Sequence, residues 1–170
     1  MMERELVRLA TGAGVTLAFC ESLTAGLAAA TVASVPGASA VLRGGLVTYA
    51  TDLKETLAGV PHEVLAAYGP VSPETARAMA EGARRACRAD YGVSLTGVAG
   101  PDPQDGHPVG EVWIGVGTPA RSFAAPAGGS ALLQGSRQEI RSAAVDAALR
   151  ILVDTLREDL SARDGNKSET

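Results

Sequence analysis

The sequence predicts an α/β domain, a three-layer α/β/α sandwich on a mixed, mostly parallel sheet of about five strands. Three observations carry this expectation. Short apolar runs of strand length alternate with segments of helical length. No internal repeat or linker divides the 170 residues, a length that fits one domain with a real core. The last two strand-like runs follow each other closely, as in a hairpin, so part of the sheet is antiparallel.

The elements follow in order. Glu3 to Ala13 reads as a short amphipathic helix closed by Gly14. Val15 to Cys20 is an apolar run the size of a buried strand. Thr24 to Val35 is small, apolar and alanine-rich, so it reads as a helix, ended by Pro36-Gly37. Ala40 to Ala50 holds a second strand, bent at Gly44-Gly45. Asp52 to Leu57 is a short helix, and a helical turn follows Pro61. Ser72 is a natural N-cap, with Pro73 at the first helical position and Glu74 in the first turn. Behind it Ala76, Met79, Ala80, Ala83, Ala86 and Cys87 mark an apolar face opposite a charged, solvated one. Tyr91 to Thr96 is a third strand, Glu111 to Gly117 a fourth, and Arg121 to Ala125 a fifth; a Gly-, Pro- and Asp-rich loop, Gly97 to Val109, separates the third from the fourth. Arg137 opens a long helix that runs to about Leu160, with Ser136 and Glu139 as a capping box. Residues 1–161 are expected to form the domain, and 162–170 a disordered tail.

Composition excludes several functions. The net charge of −4 and the lack of a basic run argue against electrostatic binding of nucleic acid. No apolar run reaches membrane-spanning length, and the N-terminus lacks a signal-peptide pattern. Cys20 and Cys87, with no Cys/His cluster, read as free thiols of a cytoplasmic protein. His62 and His107 stand in unrelated contexts, so no metal centre is expected.

Lys54 is the residue that composition singles out. Thirteen of the 15 basic residues are arginine, and the other lysine, Lys167, falls in the expected tail. An arginine stays charged, whereas a lysine surrenders its proton when burial or a neighbouring cation lowers its pKa. Lys54 is therefore either drift or chemistry that a guanidinium cannot do. Ser22 follows the first strand and precedes a helix, where α/β folds bind ligands. It is a candidate nucleophile; equally, Ser22 or Thr24 is an N-cap. No G-x-S-x-G elbow is present, so a lysine-activated serine fits better than a Ser-His-Asp triad. If the first two strands are neighbours, Lys54 reaches Ser22. Tyr49, at the end of the second strand, either orients the lysine or is a rim aromatic. Thr96-Gly97 opens a glycine loop that either approaches a ligand oxygen or is a tight turn. Arg137 sits where the helix dipole disfavours a cation, which an anion such as phosphate would explain; the plain alternative is an arginine extended into solvent. No dinucleotide or ATP fingerprint occurs.

Together these segments resemble the CinA C-terminal domain family, the nicotinamide-nucleotide amidohydrolases (PncC-like). The chain reads ESLTAG at Glu21–Gly26, VPGAS at Val35–Ser39, GGLVTYATDLK at Gly44–Lys54 and GPVS at Gly69–Ser72. It continues with TGVAGPD at Thr96–Asp102, HPVGEV at His107–Val112 and GSRQEIR at Gly135–Arg141. The match is collinear over nearly the whole chain. The resemblance implies hydrolysis of the carboxamide of nicotinamide mononucleotide to nicotinate mononucleotide and ammonia, in cytoplasmic pyridine-nucleotide salvage. It implies Ser22 as nucleophile, Lys54 as its base and Tyr49 assisting proton transfer. Glu21, Thr24, Gly26, Thr96 and Gly97 would bind substrate, and Arg137 would hold its phosphate. It implies no metal and no cofactor. The larger domain that often precedes this one is not in the sequence, so the chain looks like the standalone form. A homo-oligomer is expected, since small α/β enzymes often pair. Ala25 stands where the family has the first glycine of a pair, a methyl expected to narrow the site, and Ser136 stands where it has aspartate. Those departures favour the rival reading, a non-catalytic mononucleotide-binding or regulatory module.

Overall fold

The computed structural model describes residues 1–167. Five strands, β1 (Leu17–Glu21), β2 (Leu42–Val47), β3 (Tyr91–Gly97), β4 (Val112–Gly117) and β5 (Ser122–Pro126), form one sheet in the order β2-β1-β3-β4-β5. β1 pairs in parallel with both β2 and β3, while β4 runs antiparallel to β3 and β5 to β4. Four of the five strands therefore point one way. Six helices flank the sheet: α1 (Met2–Ala13), α2 (Leu27–Ala33), α3 (Thr51–Thr56), α4 (His62–Tyr68), α5 (Pro73–Cys87) and α6 (Arg137–Lys167). This is the three-layer architecture that the alternating pattern predicts.

Side-chain alternation along β1 divides the core. Leu17 and Phe19 face α1, α2 and α6, where Leu6, Val32, Leu152 and Leu156 are buried. Ala18 and Cys20 face α5 and the α3–α4 segment, packing with Ala58, Val60, Met79 and Ala83. α5 approaches the sheet so closely that glycine is required: a Cβ on Gly92 would meet the Ala80 carbonyl, and one on Gly115 the Ala76 carbonyl.

Three boundaries differ from the sequence reading. α2 starts at Leu27 and not Thr24, because residues 22–26 make a turn with positive φ at Ala25 (51°) and Gly26 (99°). The irregularity of β2 falls at Arg43 and not at Gly44-Gly45: Leu42 pairs with Leu17, and Gly44 with Ala18, leaving Arg43 as the extra residue. α6 continues through Lys167, so residues 162–167 of the expected disordered tail are helical. A helix already anchored on the core propagates through Ala162 and Arg163, which favour it. The rest of that expected tail, 168–170, lies outside the described residues.

The site follows from topology. α2 connects β1 to β2 on one face, and the chain returns to β3 through α5 on the other. The carboxyl ends of β1, β2 and β3 thus flank the point where the winding reverses, and ligand crevices form there.

Candidate active site

Register brings the three strand ends together: Glu21 at the end of β1 pairs with Val47 on β2 and Leu95 on β3. Ser22 follows Glu21, Tyr49 follows β2, and Thr96 and Gly97 end β3. A small cavity of about 80 Å³ opens there, lined by Ser22, Tyr49, Lys54, Thr96, Gly97 and Arg137. Six of the nine residues singled out by sequence therefore meet in one place. Leu23, Thr51, Pro70, Val71, Ala99 and Gln104 complete the wall. Gln104 is a polar loop residue of the Gly97–Val109 segment, and its position after a strand end was the available signal for it.

The pair at the centre is Ser22 and Lys54. Lys54 Nζ lies 3.0 Å from Ser22 Oγ and donates to the Thr48 carbonyl at 2.8 Å. Lys54 is 1 % exposed and has no carboxylate partner among the described residues. Burial therefore pushes its pKa below the ordinary 10.5, because desolvation penalises the ammonium. A neutral amine at this position would keep its bond to Thr48 and present its lone pair to the Ser22 hydroxyl. Thr48 is held in turn by its amide, which donates to the Glu21 carbonyl. Beneath the pair, the Cys20 thiol lies 3.4 Å from the Thr48 hydroxyl, and burial pushes its pKa up to about 11. It stays a thiol and contributes packing rather than chemistry.

Three residues expected to bind substrate lie elsewhere. The Glu21 carboxylate accepts from the amides of Gly26, Ala28 and Ala29 at 2.9–3.1 Å, so it caps α2. That bond set also answers the capping alternative for Ser22: a glutamate on β1 does the capping, and the serine side chain is left to Lys54. Thr24 does not cap either. It is wholly buried, and its hydroxyl has no partner among the described residues. Gly26 supplies the positive φ that the start of α2 needs. Ala25, where a methyl replaces the glycine of the family pair, is exposed and is not among the residues that line the cavity.

Around the rim, the Thr96 hydroxyl donates to the Pro70 carbonyl at 2.6 Å. Gly97 is required by β4, since a Cβ there would collide with the Glu111 carbonyl. Arg137 is exposed in the first turn of α6 and donates to the Gly100 carbonyl and the Tyr49 hydroxyl, each at 2.7 Å. Tyr49 thus touches Arg137, and among the described residues its hydroxyl bonds neither Ser22 nor Lys54. The capping box forms as expected, with Glu139 accepting from the Ser136 amide at 2.7 Å and the Glu139 amide donating to Ser136 Oγ at 3.4 Å. No cluster of His, Cys, Asp or Glu among the described residues has the makings of a metal site, and no described helix is long and apolar enough to cross a membrane.

Known proteins share both sequence and shape with this chain. The family described as CinA C-terminal domain matches residues 1–156. A Limosilactobacillus fermentum protein described as competence-damage inducible is 44 % identical over 159 residues, covering 92 % of this chain and 37 % of that protein. A CinA-like protein of Frankia casuarinae is 47 % identical over 137 residues, 81 % of this chain and 31 % of that one. The chain thus spans about a third of the length of these relatives. Among solved structures, the competence/damage inducible protein CihA of Agrobacterium tumefaciens superposes with a TM-score of 0.83 at 34 % identity, covering 92 % of this chain and 93 % of that one. A CinA superfamily protein of Klebsiella pneumoniae gives 0.87 at 25 % identity, covering 92 % and 96 %.

Proposed function

The chain belongs to the CinA C-terminal domain family, and on that premise we propose that it hydrolyses the carboxamide of nicotinamide mononucleotide, giving nicotinate mononucleotide and ammonia. The observation that carries the proposal is the buried Lys54 Nζ, 3.0 Å from Ser22 Oγ and depressed in pKa by desolvation. A lysine so placed is a base for a serine nucleophile.

Ser22 Oγ attacks the amide carbon while Lys54 Nζ takes the hydroxyl proton. The carbonyl electron pair moves to oxygen. Leu23 follows the nucleophile and Ala99 belongs to the loop after Thr96; both line the cavity and neither amide has a protein acceptor among the described residues, so these are candidate donors to that oxyanion. As the tetrahedral species collapses, the C–N bond breaks and Lys54 returns the proton to nitrogen, releasing ammonia. Water then attacks the acyl-serine, again giving a proton to Lys54. Ser22 leaves and recovers it, and the product is a carboxylic acid that ionises.

The cavity is far below the ~300–1,000 Å³ of typical small-molecule sites. It fits the reacting end of a ligand and leaves a ribose phosphate at the mouth. Arg137 is there, with planar donors suited to phosphate and a helix N-terminus behind them. Its contact with Tyr49 makes the tyrosine a prop for the guanidinium more readily than a proton carrier. The setting would be cytoplasmic pyridine-nucleotide salvage.

Incubation of the purified protein with nicotinamide mononucleotide, with ammonia followed directly, tests this. Wild type is expected to release ammonia and Ser22→Ala to release none above background. Tight nucleotide binding without ammonia from wild type would establish the rival binding-module reading.

A further inference from the structure

Arg141 stands one helical turn beyond Arg137 on α6, and the mechanism above gives it no task. Its guanidinium is committed to the backbone next to the nucleophile. Nε donates to the Leu23 carbonyl at 3.0 Å, Nη2 to the Thr24 carbonyl at 3.0 Å, and Nη1 to Gln138 Oε1 at 2.9 Å. Residues 23 and 24 are the two that follow Ser22, so a helix more than a hundred residues away grips the turn that carries the serine.

The ends of that turn are held from the sheet and from α2: the Ser22 amide donates to the Leu95 carbonyl at 2.9 Å, and the Thr24 carbonyl also accepts from the Leu27 amide at 3.1 Å. Ser22 to Ala25 is a tight turn closed by the Ala25 amide on the Ser22 carbonyl at 3.1 Å, with Leu23 and Thr24 at its centre. The peptide between Leu23 and Thr24 is the one whose orientation distinguishes the common turn types, and no sheet or helix bond holds it. Planarity ties its carbonyl and its N–H to one orientation. A cation on the Leu23 carbonyl therefore sets the turn type through ψ of Leu23 and φ of Thr24, while the one on the Thr24 carbonyl fixes the peptide whose Ala25 N–H donates to the Ser22 carbonyl, and that carbonyl shares its plane with the Leu23 N–H. The Ala25 φ of 51° adds strain that the second bond, to the Thr24 carbonyl, offsets. A planar guanidinium with forked donors suits two adjacent carbonyls, which a single ammonium does not span.

We propose that Arg141 is a positioning residue that clamps the Ser22–Ala25 turn and so aims the Leu23 amide at the oxyanion formed when Ser22 attacks. The proposal rests on the serine-nucleophile part of the amidase reading and is independent of the substrate assigned to it. Arg137 and Arg141 then divide one helix start between two tasks, the first towards the ligand and the second towards the backbone behind the nucleophile.

The test uses the full chain and a fluorophosphonate probe, whose phosphoryl oxygen takes up negative charge as the Ser22 Oγ–P bond forms, fluoride leaves and Lys54 receives the proton. Removing one oxyanion donor costs about 10²–10³ in rate, and misplacing it by an ångström about 10². Arg141→Ala is expected to lower the labelling rate of Ser22 about 10- to 100-fold, with ethylguanidinium restoring part of it. On nicotinamide mononucleotide, kcat is expected to fall by the same factor with KM within about three-fold. Arg141→Lys, which keeps the charge, provides the comparison if the alanine variant does not fold; it is expected to label at least about 5-fold more slowly than wild type. Wild-type labelling rates in a folded Arg141 variant, whatever its Tm, would overturn the proposal, as would a wild-type protein that does not label at Ser22. Arg141-dependent labelling without ammonia from the nucleotide would support the clamp while removing the substrate assignment.

Discussion

Lys54 and Arg137 are the two basic side chains that line the pocket, and the fold treats them in opposite ways. Lys54 is 1 % exposed and rests on a carbonyl and a hydroxyl, with no carboxylate partner among the described residues to offset the loss of water. Arg137 is exposed, with a carbonyl and a phenol as partners at the surface. Burial disfavours a charge in both cases, but only the lysine can respond by releasing its proton. The same physical pressure therefore yields a base where the group can titrate and would be a plain liability where it cannot. The arginine is at the rim for that reason, where a permanent charge is affordable and useful to an anion.

Exchanging the two chemistries breaks the comparison most sharply. Lys54→Arg keeps a cation beside Ser22 and removes the base. Ammonia release is expected to fall about 10³-fold or more, at the upper range for general-base catalysis. Activity within ten-fold of wild type would return Lys54 to an ordinary buried cation. Arg137→Ala should act on binding instead. KM for nicotinamide mononucleotide is expected to rise about 10- to 100-fold with kcat within a few-fold, as for loss of a bidentate phosphate contact. Tyr49→Phe, which removes only the prop, should raise KM by less than Arg137→Ala does. A fall confined to kcat in Tyr49→Phe would instead support the proton-transfer role.

The pH dependence sharpens the same contrast, because only Lys54 titrates. Its folded pKa lies below 10.5, so between the two values the unfolded chain holds more protons. The slope of stability is then positive: Lys54 destabilises the fold at low pH, and that penalty is relieved as pH rises through the window ending at 10.5. Cys20 acts oppositely. Its folded value of about 11 lies above the ordinary 9.0, so its contribution is present below 9 and is lost as pH rises towards 11. Urea unfolding of wild type and Lys54→Met across this range separates them; the difference between the two proteins should shrink towards pH 10.5. In parallel, kcat/KM should rise about ten-fold per pH unit until Lys54 is neutral. A profile with no fall on its acid side, at any pH where the protein stays folded, would show that the amine is not the base.

How far the sequence reached differs between the strands and the turns. Ser22, Thr96 and Arg137 were legible because each sits at an element end, and strand ends converge in a parallel sheet whatever the details, whereas Lys54, inside α3, was legible from an arginine-dominated composition. Glu21 shares the ESLTAG segment with Ser22, but alternation turns its side chain to α2, whose amides donate to the carboxylate. Helix propensity placed the start of α2 at Thr24, and the positive φ values that delay it to Leu27 leave no signature in alanine. Arg141 lies in the GSRQEIR segment with no local signal of a task, since only the three-dimensional pairing of α6 with the Ser22 turn shows what it grips. Gln104 was hidden in a loop whose path local rules do not fix.

The smallest expected effect falls on Ala25, which lies outside the pocket wall and so serves as the control for both cations. Its φ of 51° is the left-handed region, where a Cβ costs about 1–2 kcal/mol. Glycine removes that strain but adds about 0.5–1 kcal/mol of backbone entropy to the unfolded chain. The two nearly cancel, leaving Ala25→Gly more stable by up to about 1 kcal/mol, a Tm rise of about 2–4 °C at most for a chain of this size. Because the methyl is exposed, kcat and KM should not move. A large gain in turnover would mean that the strain at Ala25 reaches the Ser22 turn in spite of the Arg141 clamp; unchanged kinetics with a modest Tm rise would show the turn to be held from α6 rather than by the residue at its corner.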